Sequence, residues 1–490
     1  MNKPNIVIFN PDQFRADALG HLGNRAAYTP VLDGLAAREA VSFRNAFCQN
    51  PVCTPSRCSF MSGWYPHVRG HRTMHHMMRE GEPVLLRTLK DNGYFVWWGG
   101  KNDLVPGQAQ APFDAFCDIK HPASDARIAP NPHRADGWRG GPDSPSYYSF
   151  YAGVEPGGEN GDSYNSDRHH VTGACKFIEE FDRKRPFCVY LPLESPHPPY
   201  YCEQKWIDKI DRSNLPPRIP TPGFGKKPAI LKGIYDRQRL QGLTQSDWDD
   251  IRQTYLAMCA RIDSQLGMVI DALKKAGAYD DTAIFFISDH GDFTGDYGLV
   301  EKTQNTFEDC LVNVPFVVKP PRWAGVRPRV SEALIENIDM CATIEELTGI
   351  APAHTHFGKS LVPLFGGGGD SLRDAVFCEG GRLRGEAHCS ERESADQVSP
   401  AGLYWPRVGL QLMDDPPYHG KAVMLRTKSY KYVRRLYETD ELYDLAADPM
   451  ELNNVIDNDN YRDVLAGLKD RLCGFYLETC DIVPFNADSR

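Results

Sequence analysis

The sequence predicts an α/β protein with a large, mostly parallel sheet between helices and a smaller C-terminal α+β subdomain. Short apolar runs of strand type, at residues 5–10, 94–98, 187–193 and 283–288, alternate with helical segments. Such alternation is typical of parallel strands joined by helices. After residue 370 the pattern changes to strand signals at 421–434 and 441–445 and a terminal helix at 461–479. We therefore expect a main domain over residues 1–370 and a subdomain with a small antiparallel sheet over 371–490.

The longest predicted helix covers residues 246–276. Its apolar residues recur every three or four positions from Ile251 to Leu273, and Gly277 stands where a C-terminal cap belongs. By contrast, residues 104–165 are rich in Pro, Gly, Asp and aromatic residues. We expect this stretch to be a long loop inserted in the main domain, either a functional lid or disordered. Its aromatic side chains would stack on a substrate ring or pack within the loop.

Composition excludes several classes of protein. Of the 490 residues, 41% are hydrophobic and 24% are charged, as in ordinary globular proteins. The net charge of −10 argues against general nucleic-acid binding, although a local basic pocket for a small anion remains compatible with it. No apolar stretch approaches the roughly 20 residues of a membrane span. Because no secretory signal is evident, we expect a cytoplasmic protein whose 14 cysteines stay reduced.

The strongest local signal is the motif C-x-P-x-R at Cys53-Thr54-Pro55-Ser56-Arg57. Pro55 suits the first turn of a helix, which places Cys53 at the helix N-terminus, where the helix dipole favours negative charge. Arg57 follows one turn later on the same face and can pair with the reactive group. The alternative is a buried structural cysteine beside a helix-starting proline.

Two further motifs follow predicted strands. Asp12-Gln13 comes after the first strand, and Ser288-Asp289-His290-Gly291 comes directly after residues 283–288. Oxygen and nitrogen ligands at the carboxyl edge of an α/β sheet suit a divalent cation. The alternative for each motif is a strand-end turn without a ligand.

These three motifs, in this order, resemble those of the type I, formylglycine-dependent sulfatases of the alkaline phosphatase superfamily. The match is close to the group of bacterial arylsulfatases and phosphonate monoester hydrolases. The resemblance implies an alkaline-phosphatase-like fold and hydrolysis of a sulfate ester. It also implies that a maturation enzyme oxidises Cys53 to formylglycine, whose hydrated aldehyde attacks sulfur. One divalent metal would bind Asp12, Gln13, Cys53, Asp289 and His290. The mostly oxygen ligands favour Ca²⁺, with Mn²⁺ and Mg²⁺ as alternatives.

Three basic residues match sulfate-contacting or leaving-group-protonating positions of that family. They are Lys101 after Gly99-Gly100, His197 in Ser195-Pro196-His197-Pro198, and Lys302 after Glu301. Such groups neutralise the charge of a transferring sulfuryl or phosphoryl group. One departure concerns the next position, because many sulfatases have Lys-x-His where this chain has Lys101-Asn102-Asp103. We expect Asp103 to act as the missing base or to bind a substrate hydroxyl or amine, unless a histidine of residues 66–72 replaces it.

Residues 65–80 contain three Arg and four His and follow the Cys53 helix. We predict that His71 and Arg72 in this stretch bind an anionic small-molecule or sugar substrate; the alternative is a solvated polar loop. A sulfated carbohydrate is the favoured substrate. Two other functions stay open, namely a phosphonate or phosphate ester hydrolase on the same scaffold and a non-catalytic anion-binding protein with unconverted Cys53. A homo-oligomer is compatible with the sequence.

Overall fold

The structure is a computed structural model that describes residues 3–107, 113–129, 136–158, 161–394, 399–414, 418–485 and 487. Its strands are β1 (Asn5–Asp12), β2 (Val41–Phe47), β3 (Phe95–Trp98), β4 (Ile119–Lys120), β5 (Tyr151–Glu155), β6 (Phe187–Pro196), β7 (Tyr200–Glu203), β8 (Thr282–Ile287), β9 (Phe316–Lys319), β10 (Arg329–Glu336), β11 (Val376–Gly380), β12 (Ala422–Arg426), β13 (Tyr430–Arg435) and β14 (Glu441–Asp444). Its α-helices are α1 (Pro30–Arg38), α2 (Cys53–Ser62), α3 (Pro66–Arg69), α4 (Leu85–Asp91), α5 (Ser166–Glu180), α6 (Gln204–Ile207), α7 (Ala229–Gln238), α8 (Gln245–Lys275), α9 (Asp309–Val312), α10 (Asp339–Thr348), α11 (Val362–Phe365), α12 (Trp405–Gln411) and α13 (Arg462–Thr479).

The main sheet runs in the order β10-β2-β9-β8-β1-β6-β3-β4. Strand β9 is antiparallel to both of its neighbours, and the other adjacent pairs are parallel. The predicted mostly parallel sheet is therefore confirmed, with β9 as the departure from it. Strand β1 lies between β6 and β8, so the carboxyl ends of these three strands meet at one edge of the sheet.

Both faces of this sheet are covered, because alternate residues of the central strand enter different cores. Ile6 and Ile8 belong to one cluster of buried apolar residues, and Val7 and Phe9 belong to another. The second cluster contains the buried side of the long helix α8, including Leu266. The first contains residues of α2, α4 and α10. Layers of helix, sheet and helix explain why the strands read as continuous apolar runs in the sequence.

The stretch over residues 104–165 is not one continuous loop, as the sequence suggested. Strand β4 extends the main sheet, and β5 pairs in parallel with β7. Within its described residues, Tyr147 and Tyr148 are buried. The guanidinium of Arg139 lies 3.8 Å from the centroid of the Tyr147 ring. These two tyrosines therefore pack within the protein. Several segments of the stretch, such as 108–112 and 130–135, lie outside the described residues.

The predicted C-terminal antiparallel sheet is confirmed, with strands in the order β11-β12-β13-β14. Helix α13 packs on it through Phe475, whose ring stacks on Phe377 at 3.8 Å between centroids and an interplanar angle of 7°. His67, at the start of α3, contacts Glu379 Oε1 of β11 at 2.7 Å and ties the segment after α2 to this sheet. The domain boundary at residue 370 stays a prediction.

Two other expectations concern the whole chain. All 14 cysteines lie in the described residues, and each has a free thiol. Among the described helices, none combines the length and the apolar composition that crossing a bilayer requires.

Candidate active site

The carboxyl ends of β1 and β8 bring two acidic side chains together. Asp12 is the last residue of β1, and Asp289 follows β8 by two positions. The backbone N–H of Gln13 donates to Oδ1 of Asp289 at 3.1 Å. Both carboxylates are fully buried. Because β1 and β8 are adjacent parallel strands, residues nearly 280 positions apart in the chain become neighbours.

Helix α2 begins at Cys53 and points its N-terminus at the same edge. The Sγ of Cys53 lies 3.5 Å from Oδ1 of Asp12 and 3.2 Å from Nε2 of His290. The hydroxyl of Ser56 donates to the backbone carbonyl of Asp289 at 2.6 Å and holds the helix in place. The structure therefore brings together the cysteine, the two carboxylates and the histidine that the sequence proposed from separate motifs.

These four side chains fit a divalent metal ion. Each offers a ligand atom, and the atoms of Asp12, Cys53, Asp289 and His290 lie within 4.8 Å of one another. The Nδ1 of His290 donates to the carbonyl of Gly291 at 2.9 Å, so its Nε2 directs a lone pair at the group. Burial also lowers the pKa of His290, which keeps the ring neutral. Two carboxylates and one neutral imidazole are ligands for a hard or borderline cation.

Arg57 joins the two carboxylates. Its Nε donates to Oδ2 of Asp289 and its Nη2 to Oδ2 of Asp12, both at 2.9 Å, and all three side chains are inaccessible to solvent. Burial alone would raise the pKa of Asp12, but Lys101, His197 and Arg57 hold that pKa well below its usual range. Asp12 therefore stays charged, as a metal ligand must.

Lys101 lies between the cysteine and a second carboxylate. Its Nζ is 2.6 Å from Oδ2 of Asp12, 3.6 Å from Sγ of Cys53 and 2.8 Å from Oδ2 of Asp103. Asp103 adopts a left-handed backbone conformation with φ of 45°. Asp103, the residue at which this chain departs from the expected Lys-x-His pattern, thus pairs with the lysine of its own motif.

Lys302 is connected to the site through Gln13. Its Nζ donates to Oε1 of Gln13 at 2.8 Å, and Nε2 of Gln13 donates to Oδ2 of Asp292 at 2.5 Å. Tyr200 also donates to Asp292, whose pKa burial raises to about 6. The sequence did not single out Asp292 and Tyr200, although Asp292 directly follows the motif at residues 288–291. The role of Gln13 as a metal ligand stays a prediction.

The cysteine itself is a poor nucleophile in this setting. Burial, followed by the charge of Asp12, raises the pKa of the Cys53 thiol to about 12. The thiolate is the nucleophilic form of cysteine, so the protein groups around Cys53 disfavour that form.

A cleft of about 230 Å³ opens beside Lys101. His197 lines it after the end of β6, and its Nδ1 donates to the carbonyl of Pro198 at 2.7 Å. Glu194, Asp167 and Tyr201 line the same cleft. Burial and the charge of Asp167 raise the pKa of Glu194 to about 7. The cleft therefore has a cationic end at Lys101 and an acidic wall.

The structure places His71 and Arg72 elsewhere, with partners of their own. The Nε2 of His71 lies 3.0 Å from Oε2 of Glu82, and Nη2 of Arg72 lies 2.9 Å from Oε1 of Glu386. Neither residue is among those that line the cleft beside Lys101 in the described part of the chain. Because local carboxylates already pair with both side chains, their substrate-binding role is unsupported by this arrangement and stays a prediction.

Comparison with known proteins agrees with this geometry. The family model described as Sulfatase matches residues 4–350, which include the sheet edge and every member of the buried cluster. This chain belongs to the Sulfatase family. A second model, N-sulphoglucosamine sulphohydrolase, C-terminal, matches residues 418–476, which span β12 to most of α13.

Named relatives extend over nearly the whole chain. It is 26% identical to the choline-sulfatase of Rhizobium meliloti (strain 1021), over 93% of this chain and 83% of that protein. It is 25% identical to the ulvan-active sulfatase of Formosa agariphila, over 93% of this chain and 77% of that protein. The fold matches the crystal structure of the phosphonate monoester hydrolase of Agrobacterium radiobacter with a TM-score of 0.74 and 23% identity, over 99% and 100% of the two chains.

The expected family and the alkaline-phosphatase-like fold are thus confirmed, and the sulfatase is a sulfuric ester hydrolase. This outcome argues against a protein that only binds anions. The family match does not assign roles to single side chains, so the catalytic and metal-binding roles of the predicted residues belong to the proposal below.

Proposed function

We propose that this sulfatase hydrolyses its ester with a formylglycine made from Cys53 and with one divalent metal beside it. The observation that supports this proposal is the position of the Cys53 Sγ. It lies 3.2 Å from Nε2 of His290 and 3.6 Å from Nζ of Lys101. A formylglycine there would supply a geminal diol as the nucleophile, with an oxygen in place of the sulfur.

The metal would be held by Asp12, Asp289, His290 and the group at position 53, with Gln13 as a further candidate. Such an ion supplies Lewis-acid polarisation of the ester and lowers the pKa of the attacking hydroxyl. The chain holds the ligands in place through Arg57, which contacts both carboxylates. Oxygen ligands favour Ca²⁺, and the imidazole keeps Mn²⁺ and Mg²⁺ as alternatives.

The surrounding cations would stabilise the charge that moves during transfer. Arg57 contacts both carboxylates, Lys101 contacts Asp12 and Lys302 contacts Gln13, in a setting where low solvent access strengthens their effect. His197 lines the cleft, and we assign to it protonation of the leaving oxygen. Asp103 orients Lys101 through their 2.8 Å contact.

For the substrate we propose the sulfate ester of a carbohydrate. The cleft of about 230 Å³ is mostly bounded by polar side chains, including Asn165, Ser166 and Tyr201, which suit hydroxyl groups. The ulvan-active sulfatase among the relatives supports a sugar substrate, whereas the choline-sulfatase supports a small organic ester. The acidic wall at Glu194 would accept hydroxyl or amino groups of either.

The test combines intact mass with kinetics on protein co-expressed with a formylglycine-generating enzyme. Conversion of Cys53 removes roughly 18 Da. We expect the converted protein to hydrolyse an aryl sulfate, and Cys53→Ala to abolish both turnover and the mass change. Cys58→Ala, at a buried cysteine of the same helix, is the matched control and should keep both. Full activity at the unmodified mass would refute the formylglycine.

A second candidate is hydrolysis of a phosphonate or phosphate ester on the same scaffold. It is favoured by Asp103, which replaces the histidine of many sulfatases, and by the fold match to a phosphonate monoester hydrolase. The two chemistries need the same metal, nucleophile and cations. Side-by-side kcat/KM values for aryl sulfate and aryl phosphonate esters decide which substrate is preferred.

The cellular setting is also part of the proposal. A maturation enzyme that modifies Cys53 is the one partner that the chemistry requires. The 14 free thiols suit a reducing, cytoplasmic compartment. A homo-oligomer is compatible with this function, and we propose neither a nucleic-acid partner nor a membrane partner.

A further inference from the structure

Three histidines outside the catalytic cluster face one another. His121 follows β4, and His169 and His170 lie in the first turns of α5. One ring nitrogen of each lies within 4.8 Å of those of the other two. The Nδ1 atoms of His121 and His170 are 3.0 Å apart, and the rings of His121 and His169 have centroids 4.5 Å apart. The catalytic mechanism uses none of these side chains.

The spacing suits one metal ion bound by imidazole. A zinc ion at about 2.0–2.1 Å from each nitrogen in tetrahedral geometry sets the ligand nitrogens about 3.4 Å apart. The 3.0 Å separation of the two Nδ1 atoms is close to this value. Neutral imidazoles are the most common protein ligands of zinc-type metals.

The third histidine, His169, is held in place by hydrogen bonds to its neighbours. The Nε2 of His169 donates to the carbonyl of Pro122 at 3.0 Å, which leaves Nδ1 as its lone-pair nitrogen. That Nδ1 lies 3.2 Å from the hydroxyl of Tyr164 and 3.6 Å from Oδ2 of Asp125. Asp125 also pairs with Arg127.

A glycine in helix α5 allows His121 to approach the helix closely. A Cβ atom at Gly173 would lie 2.4 Å from Nε2 of His121, so any larger residue at this position of α5 would displace the ring. Glycine in a helix interior costs about 1 kcal/mol relative to alanine. The close approach of His121 to α5 gives a physical reason for this glycine.

We propose that His121, His169 and His170 bind a second divalent metal of the zinc type, separate from the catalytic centre. The ion would fasten the chain after β4 to the start of α5. Both segments form the cleft wall, because Ile128 and Ala129 line the cleft together with residues 165–167. The backbone N–H of Ala129 already donates to the carbonyl of Tyr164 at 2.9 Å. This second metal is structural and shapes the wall of the substrate cleft.

The experiment measures zinc bound per full-length chain after loading with Zn²⁺ and gel filtration. Asp289→Asn removes one ligand of the catalytic centre, and zinc at the histidines is measured as the equivalent that this variant loses when they are replaced. Adding His121→Asn and His170→Asn should remove that equivalent. Adding His75→Asn instead, at a partly exposed histidine outside the group, should leave it bound. Co²⁺ loading of Asp289→Asn should give the visible spectrum of a tetrahedral site.

A stability measurement guards against misfolded variants. Zn²⁺ should raise the Tm of Asp289→Asn and of its His75→Asn form, and it should leave the Tm of the histidine double replacement unchanged. Far-UV circular dichroism must show the same helix content in all three proteins. Equal zinc content with and without His121 and His170, or no zinc on Asp289→Asn, would overturn the proposal.

Discussion

The Nε of Arg57 donates to Oδ2 of Asp289 at 2.9 Å, and neither side chain reaches solvent. The same guanidinium reaches Asp12 with its Nη2. One side chain of α2 therefore sets the separation of two carboxylates that extend from different strands. Together with Lys101 and His197, this guanidinium holds the pKa of Asp12 well below its usual range, so that buried carboxylate stays charged, as a cation site requires.

Replacement of Arg57 tests this dependence. We expect Arg57→Met to lower the free energy of unfolding by about 3–5 kcal/mol, because it leaves two buried carboxylates without their partner. Turnover should fall by about 100-fold or more, since a buried positive charge at the reacting group is lost. Chemical denaturation and steady-state kinetics measure the two effects. The matched control is Arg44→Met, because Arg44 pairs with Glu332 at the surface and should contribute less than about 1 kcal/mol. Equal destabilisation by both replacements would contradict the structural role of Arg57.

Replacement of Asp103 separates two roles for this residue. If it orients Lys101, Asp103→Asn should lower kcat/KM for an aryl sulfate by about tenfold, because Lys101 loses a charge-assisted contact. If it is instead the base that releases sulfate, kcat should fall while the first turnover stays fast, so stopped-flow traces should show a burst. We expect the first pattern, and a stoichiometric burst would overturn it.

The cleft wall should make substrate binding dependent on pH. The raised pKa of about 7 means that Glu194 is mostly neutral below that pH and ionised above it. Above pH 7 its carboxylate should repel an anionic ester, so KM should rise as the pH increases. Glu194→Gln should remove this rise and match the wild type at about pH 6, where both side chains are neutral. Parallel KM–pH curves for the two proteins would exclude Glu194 as the cause.

The stacked pair Phe377 and Phe475 should anchor the terminal helix. We expect Phe475→Ala to cost about 3–5 kcal/mol of unfolding free energy, because it leaves a cavity between α13 and the small sheet. Leu477→Ala on the same helix is the control, since this side chain is 76% exposed and should change stability by less than about 0.5 kcal/mol. Thermal or chemical unfolding of the two variants measures the difference. A similar small effect of both would mean that α13 is weakly docked.

Much of the fold was predictable from local sequence patterns. The runs at 5–10, 187–193 and 283–288 became β1, β6 and β8 with ends shifted by at most three residues, because burial on both faces demands continuous apolar residues. Helix α2 begins at Cys53 as its Pro55 predicted. The antiparallel direction of β9 was not predicted, because the sequence of a four-residue strand does not indicate which way the strand runs in the sheet.

The residues of the candidate site also differ in whether the sequence could identify them. Asp12, Cys53, Arg57, Asp289 and His290 were identifiable because each belongs to a motif of residues adjacent in the chain. The partners of Arg72 and Gln13, the contact of Lys101 with Asp12 and the contact of His121 with His170 were not identifiable. Those contacts join segments that approach one another only after the strands have paired and the helices have packed on the sheet. The sequence therefore shows which reactive side chains lie next to one another in the chain. The distances between the separate motifs, which decide whether they form one site, depend on long-range packing.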